Sequence, residues 1–428
     1  MSERPGSPPQ SSNLETGSHA GSIEAMALRA QMPALAGKTY FNYGGQGPLP
    51  SPSLQAITDT WRTIQELGPF TGAVNPFIGA TIAALRMRLA SWLGVPPTRL
   101  SFTENVTSGC LLPLWGLPWQ PGDELLISDA EHPGVVAGLQ ELARREGLSL
   151  VSLPVQHLRG DQTATQCGVL KALDAALSPR TRLVALSHLL WNTGQQMPIE
   201  AVAARLAEHP RHPWLLVDAA QSLGSIPAAE AAAASDLYAC TGHKWCCGPE
   251  GLGVVALSER LLEQASPTLI GWRSLADEHA LPKLAQFQEH ASAAEAGSPF
   301  HRDGRRFEVA TSCTPLFAGL NRSLELLENE GSAEDRLNTI RSRSQALWRG
   351  LRTLPGVTTL LEVPPPAGLV SFTAAGQAPD GLVRALGERG LWLRSLPDPA
   401  CLRACTHITT CESELERLLA ALQELLQG

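Results

Sequence analysis

Residues 236–257, DLYACTGHKWCCGPEGLGVVAL, place a single lysine, Lys244, between two runs that are apolar at nearly every position. Runs this short and this continuously apolar, bounded by glycine and turn residues, read as strands covered on both faces. Lysine prefers an exposed position, yet the neighbours of Lys244 are His243, Trp245, Cys246, Cys247 and several glycines. That is a packed surrounding, and a charge placed in it needs a chemical reason.

The same rhythm extends outward. ELLIS (124–128), SLVSL (149–153), RLVALS (182–187) and WLLVD (214–218) precede DLYAC (236–240) and LGVVAL (252–257), with longer Ala/Leu-rich stretches between them. The alternation predicts an α/β fold, a mostly parallel sheet flanked by helices. Upstream, Leu54, Ile57, Trp61 and Ile64 recur at helical spacing, as do Ile82, Leu85, Leu89 and Trp92. Past residue 260 the strand rhythm stops, and residues 289–306 read as an irregular connection. Helical patterns return over 314–330 and 339–354. GLVSFTA (368–374), LWLRSL (391–396) and CLRACTHIT (401–409) read as strands, and residues 412–427 form a closing helix with Leu415, Leu418, Leu419, Leu422 and Leu426 on one face. The expected organisation is a disordered tail over 1–30, a segment near the active site over 31–50, a large domain over 51–310 and a smaller α/β domain over 311–428.

Bulk properties exclude several function classes. At 428 residues and 45.6 kDa the chain supports two domains. A net charge of -8 and a pI near 5.8 argue against nucleic-acid binding. No stretch approaches the roughly 18 apolar residues of a membrane span. The polar start lacks the apolar core of a secretory signal. The nine cysteines are odd in number and contain no CxxC knuckle, so reduced thiols in the cytoplasm are expected, with no metal.

In an open parallel sheet, ligands gather beyond the carboxyl ends of the strands. The segments that follow the expected strands carry His132, Asn192, Asp218 with Gln221, and Thr241 with His243 and Lys244. Thr107, Ser108 and Gly109 stand where a helix is expected to begin, a ready anion site suited to a phosphate. Each residue has a plainer reading on its own: a structural lysine, an Asp218 N-cap with Gln221 in a capping box, a satisfied loop histidine, an ordinary helix start. Together they match the needs of pyridoxal phosphate, an electron sink held by a Schiff base to lysine with a carboxylate on its ring nitrogen. Lys244 supplies the amine, Asp218 the carboxylate and His132 the ring stack, while Asn192 and Gln221 reach the phenolic oxygen.

The motifs AEHPG, WNTGQ, VDAAQ and TGHKW resemble, in this order, the fold-type I, class V family of pyridoxal-phosphate enzymes that includes the cysteine desulfurases. YFNYGGQGPLP (40–50) and LRACTHIT (402–409) look most like the cystine/cysteine C-S lyases in that family. The resemblance implies that Thr241 and His243 help hold the phosphate. It also implies that Thr311 reaches the phosphate of a neighbouring subunit, hence a homodimer. Gly45, Arg394, Arg403 and Trp272 are the candidates for binding an amino-acid substrate, Arg403 as the carboxylate partner and Trp272 from the partner subunit; a salt bridge or simple packing is the plainer account of each.

A desulfurase needs a cysteine nucleophile on a mobile loop. Only six residues separate Arg394 from Cys401, and Cys401 shares a strand face with Arg403 by period 2, so Cys401 is expected to pack rather than react. Elimination then remains, with C-S cleavage giving pyruvate and ammonia. Sulfur transfer, aminotransfer and epimerisation are the competing reactions.

Overall fold

The computed structural model describes residues 27–276 and 299–427. Most of the expected tail, and most of the connection expected over 289–306, lie outside the described residues. After a short 3-10 helix over Pro33–Leu35 the chain forms β1 (Thr39–Tyr40), then a helix over Ser51–Leu67 and a second over Val74–Leu93. The larger sheet follows: β2 (Leu100–Thr103), β3 (Glu124–Ser128), β4 (Ser149–Leu153), β5 (Thr181–Ser187), β6 (Trp214–Asp218), β7 (Leu237–Thr241) and β8 (Gly253–Leu257). Their spatial order is β2-β8-β7-β6-β5-β3-β4. Strands β4, β3, β5, β6 and β7 are parallel to one another, whereas β8 runs antiparallel to both β7 and β2. The expected strands are all present; β2 was missed because LSFT is only four residues long.

Every residue of β6, β7 and β8 is buried, as continuous apolar runs require. β4 departs from that expectation. It forms the edge beside β3, and most of its residues are exposed. Register brings the strand ends level, with Ser187 opposite Asp218 and Asp218 opposite Ala239. Polar groups that are distant in sequence therefore meet along one rim.

The helix over Ser51–Leu67 forms where the spacing expects one, but its docking face is not the apolar stripe. Leu54 and Trp61 are 51% and 49% exposed, while Ser53, Thr60 and Ile64 face inward. The helix docks against the helix Thr314–Glu328, where Ser53 Oγ meets Ser323 Oγ at 2.8 Å and Gly319 leaves space for Ile57. Small residues allow the two axes to approach closely, so the docking face is not the most apolar one. The helix Thr314–Glu328 packs on Ser51–Leu67 and Val74–Leu93.

The smaller sheet contains β9 (Val357–Thr359), β10 (Leu369–Ala374), β12 (Arg394–Pro397) and β13 (Ala400–Cys405), in the antiparallel order β12-β13-β10-β9. β11 (Leu391–Trp392) pairs in parallel with β1. Helices over Ala333–Thr353, Pro379–Glu388 and Glu412–Gln427 cover this unit, whose core includes Leu347, Phe372, Leu402 and Leu418. From β1 the N-terminal segment runs on to the Lys244 loop, where the Gly47 N–H donates to the His243 carbonyl at 2.7 Å. A side chain at 47 would collide with the Lys244 carbonyl, so glycine is required there for close approach.

Candidate active site

A cavity of about 270 Å³ opens at the carboxyl ends of the parallel strands and is closed from the other side by the β12–β13 hairpin. Lys244, Asp218, His132, Gln221, Thr107 and His243 line it from the larger sheet. Gly44 and Gly45 line it from the N-terminal segment, and Arg394 and Arg403 from the smaller sheet. Sequence candidates from seven separate stretches, around residues 45, 107, 132, 218, 244, 394 and 403, thus meet in one place.

The loop between β7 and β8 carries Lys244 on a fixed backbone. The Lys244 carbonyl accepts from Cys247 N–H at 3.0 Å, and Cys247 itself takes a left-handed conformation, φ 51°. Burial, opposed by Asp218 and aided by Arg403 and Arg394, pushes the ammonium down to about 8. A lysine that sheds its proton near neutrality is equipped for nucleophilic and acid–base work.

Asp218 ends β6, is buried, and accepts from Ala220 N–H at 2.8 Å through Oδ1. Gln221 is held at both ends: Nε2 donates to Gly44 O and Oε1 accepts from Trp245 Nε1, each at 2.9 Å. His132 caps the helix Pro133–Glu146, its Nδ1 accepting from Gly134 N–H at 3.2 Å, so that Nε2 carries the proton. Burial lowers its pKa, which favours the neutral ring. Beside it Trp191 packs edge-on at 5.6 Å.

Arg403 is almost wholly enclosed, 1% exposed. Nη1 donates to the Trp191 carbonyl at 2.7 Å and Nη2 reaches Asn42 Oδ1 at 3.4 Å, but Nε has no partner. Asn192 Oδ1 is likewise buried without a partner, while its Nδ2 donates to Asp398 O at 3.3 Å. Unsatisfied buried groups are costly, and an unpaired guanidinium facing a cavity calls for an anion. Arg394, opposite Arg403 across the hairpin, also lines the cavity but is exposed. Cys401 is buried, and burial pushes its thiol up to about 11.

Other candidates fall outside this cavity or in altered roles. The short helix Val106–Leu111 starts one residue earlier than expected, with Asn105 as its N-cap accepting from Ser108 N–H at 2.9 Å. Thr107 alone of the three phosphate candidates lines the cavity. The Ser108 N–H is taken by Asn105, and Gly109 packs toward Ala239 and Val255 of the sheet. Thr241 Oγ1 pairs with His243 Nδ1 at 2.8 Å. Thr311 lines a separate cleft with Thr103 and Gly251, and Trp272, 52% exposed, lines another of about 650 Å³ with Arg86 and Arg273. Neither touches the Lys244 cavity of its own chain.

Sequence reasoning missed Trp191, Asn105, Asn42, Ser187 and Glu131. Glu131 is a buried carboxyl held by Ser128 Oγ, Ser187 N–H and Ser187 Oγ at 2.6–2.8 Å, and burial together with Asp218 raises it to about 7. Trp191 and Glu131 flank residues already singled out, Asn192 and His132, so adjacency was the available signal.

A family model described as aminotransferase class-V matches residues 77–418. Isopenicillin N epimerase of Amycolatopsis lactamdurans is 31% identical over 404 residues, covering 90% of this chain and 95% of that protein. A probable cysteine desulfurase of Pseudomonas aeruginosa is 30% identical, covering 93% and 98%. Among solved structures, the cystine C-S lyase C-DES in complex with its reaction product, cysteine persulfide, is 42% identical with a TM-score of 0.83, covering 92% of this chain and 99% of that one. A variant of the same lyase carries glycine linked covalently to its pyridoxal-phosphate cofactor, with a TM-score of 0.84. This chain belongs to the class-V aminotransferase family.

Proposed function

We propose that the protein is a pyridoxal-phosphate-dependent carbon-sulfur lyase that eliminates sulfur from cystine or cysteine. The residues fit the cofactor on observations of the site itself: a lysine with a lowered pKa, a buried carboxylate on the same rim, the Thr107 hydroxyl in the lining, and an unpartnered Asn192 oxygen next in sequence to the lining residue Trp191. When bound, pyridoxal phosphate supplies an electron sink beside the substrate α carbon. Lys244 would carry the cofactor and then take the α proton at Nζ. Asp218 would keep the ring nitrogen protonated, and His132 would lie against the ring face. Arg403 would receive the substrate carboxylate in a charge-assisted pair, with Arg394 and Gly45 at the cavity mouth. Cystine and water would give pyruvate, ammonia and cysteine persulfide.

The observation that favours elimination over sulfur transfer is the β12–β13 hairpin. Only Asp398 and Pro399 separate the strands, and Cys401 is locked into β13 with its thiol held protonated by burial. No mobile thiolate is available there to attack a substrate sulfur. The same cavity also serves the epimerase and aminotransferase alternatives, so the product distinguishes them. Pyruvate formed in step with released sulfur supports elimination; alanine as the main product would assign a desulfurase, and an intact carbon-sulfur bond one of the other two reactions.

This reading includes a cytoplasmic homodimer in which Thr311 and Trp272 of each chain complete the site of the other, consistent with their distance from the cavity of their own chain. It also divides the chain into an N-terminal tail, a site-contacting segment over 31–50, a large unit and a small unit, with the helix Thr314–Glu328 assigned to the large one. No helix among the described residues is long and apolar enough to cross a membrane.

A further inference from the structure

The groups that hold the Lys244 loop come partly from outside it. On one side the Trp245 indole Nε1 donates to Gln221. On the other, the Trp245 carbonyl accepts from His407 Nε2 at 3.1 Å. His407 lies just beyond β13, the strand that carries Arg403, and is completely buried. Its own backbone is clamped, since Arg343 Nη1 donates to the carbonyls of His407 and Ile408.

The proton positions around His407 follow from chemistry alone. A carbonyl only accepts, so Nε2 must bear the hydrogen. Nδ1 then accepts, from Thr409 N–H at 3.4 Å and from Thr409 Oγ1 at 3.0 Å. Having donated its hydrogen, Thr409 Oγ1 must accept from the Tyr43 hydroxyl at 2.7 Å. The chain runs one way, from Tyr43 through Thr409 and His407 to the carbonyl of Trp245, the residue after Lys244. Tyr43 also stacks on the imidazole, with ring centres 4.4 Å apart and planes 12° from parallel. Burial pushes His407 down to about 3, so the ring stays neutral with one hydrogen to give.

We propose that His407 is a positioning residue for Lys244: by holding the Trp245 carbonyl with a proton fixed through Thr409 and Tyr43, it sets where the lysine amine stands in the cavity. The role rests on the reading of Lys244 as the cofactor-bearing lysine and is independent of which substrate bond is later cleaved. It also gives the THIT segment, Thr406–Thr409, a chemical task and ties the strand bearing the substrate-binding arginine to the loop bearing the lysine.

The test compares two amides of different reach. In His407→Gln the terminal NH₂ extends as far as Nε2; in His407→Asn it extends only as far as Nδ1. Cofactor-free protein is titrated with pyridoxal phosphate, and the pH at which capture is half-maximal is recorded with the dissociation constant. His407→Gln is expected to stay within about threefold of wild type, whereas His407→Asn binds roughly tenfold more weakly, as expected for a buried acceptor left unpaired. Its capture midpoint rises toward the ordinary lysine value, because a displaced amine is less desolvated. On the amino-acid substrate, His407→Asn lowers kcat and leaves KM unchanged. If His407→Asn matches wild type in affinity and midpoint, or if His407→Gln is impaired as much as His407→Asn, the role is overturned. Should His407→Asn not fold, Thr409→Val and Thr409→Ser replace the pair: the valine variant must show the weaker binding and shifted midpoint and the serine variant must not, and equal behaviour of the two overturns the role. Borohydride reduction of the loaded wild type separates this from failure of the Lys244 assignment, which attachment of the cofactor to another lysine would reveal.

Discussion

The Lys244 loop and the β12–β13 hairpin face each other across the cavity, and they are built on opposite plans. The loop is long and is tied to distant segments at several points: His243 O to Gly47, Trp245 O to His407, Cys247 O to Ser323, and the Trp245 indole to Gln221. The hairpin turns through two residues and presents two arginines side by side, one sealed and one exposed. A reactive amine needs a rigid seat that keeps it desolvated, and the loop supplies one. A sulfur-carrying cysteine needs travel, and the hairpin has no length to give.

The comparison can be broken most severely at the loop. Lys244→Ala is expected to abolish turnover while leaving bound cofactor without a covalent link; residual turnover at the wild-type rate in a steady-state assay would remove the lysine from the mechanism. Asp218→Asn should lose about two or more orders of magnitude in kcat with the cofactor retained, since an amide cannot hold the ring nitrogen protonated. Near-normal kcat would deny that role.

On the hairpin the two arginines should separate. Arg403→Ala is expected to raise KM about 100-fold, the loss of a desolvated charge-assisted pair, whereas Arg394→Ala, partly screened by solvent, should cost less than about tenfold. Equal effects in steady-state kinetics would mean that burial does not distinguish them. The lysine seat is sharpened by pH. Cofactor-free protein should capture pyridoxal phosphate faster as pH rises, with a midpoint near the depressed lysine pKa of about 8, because only the neutral amine reacts. A midpoint near 10 would show a solvated lysine. Smallest of all, Cys401→Ala should keep pyruvate formation from cystine within about twofold of wild type, a modest packing defect aside. Loss of sulfur release in that variant would restore sulfur transfer.

Much of this was legible in the chain. Continuous apolar runs identified six strands of the larger sheet; in five of them burial on both faces leaves no room for alternation, while the edge strand β4 carries the same pattern although mostly exposed. Lys244, Asp218, His132 and Gln221 were found because polar residues directly after such strands have one place to go, the carboxyl rim. Arg394 and Arg403 were candidates because a charge in a strand-like run facing a cleft demands an anion, and Arg403 was preferred because LRACTHIT resembles the C-S lyases. Other features depend on contacts between segments far apart in sequence. The docking face of the helix Ser51–Leu67 follows from how closely Ser53 and Gly319 allow two helices to approach. Gly109 reads as a phosphate residue in sequence and packs on the sheet in space, because Asn105 shifts the start of its helix. His407 looked like part of a strand motif until its Nε2 met the Trp245 carbonyl, 162 residues away. By itself the sequence determined which chemical groups exist and which face of each strand is apolar, since both are local properties. Only the tertiary structure decided which hydrogen bonds those groups make, how far each amine or thiol is desolvated and which cysteine is locked, because these depend on distance through space.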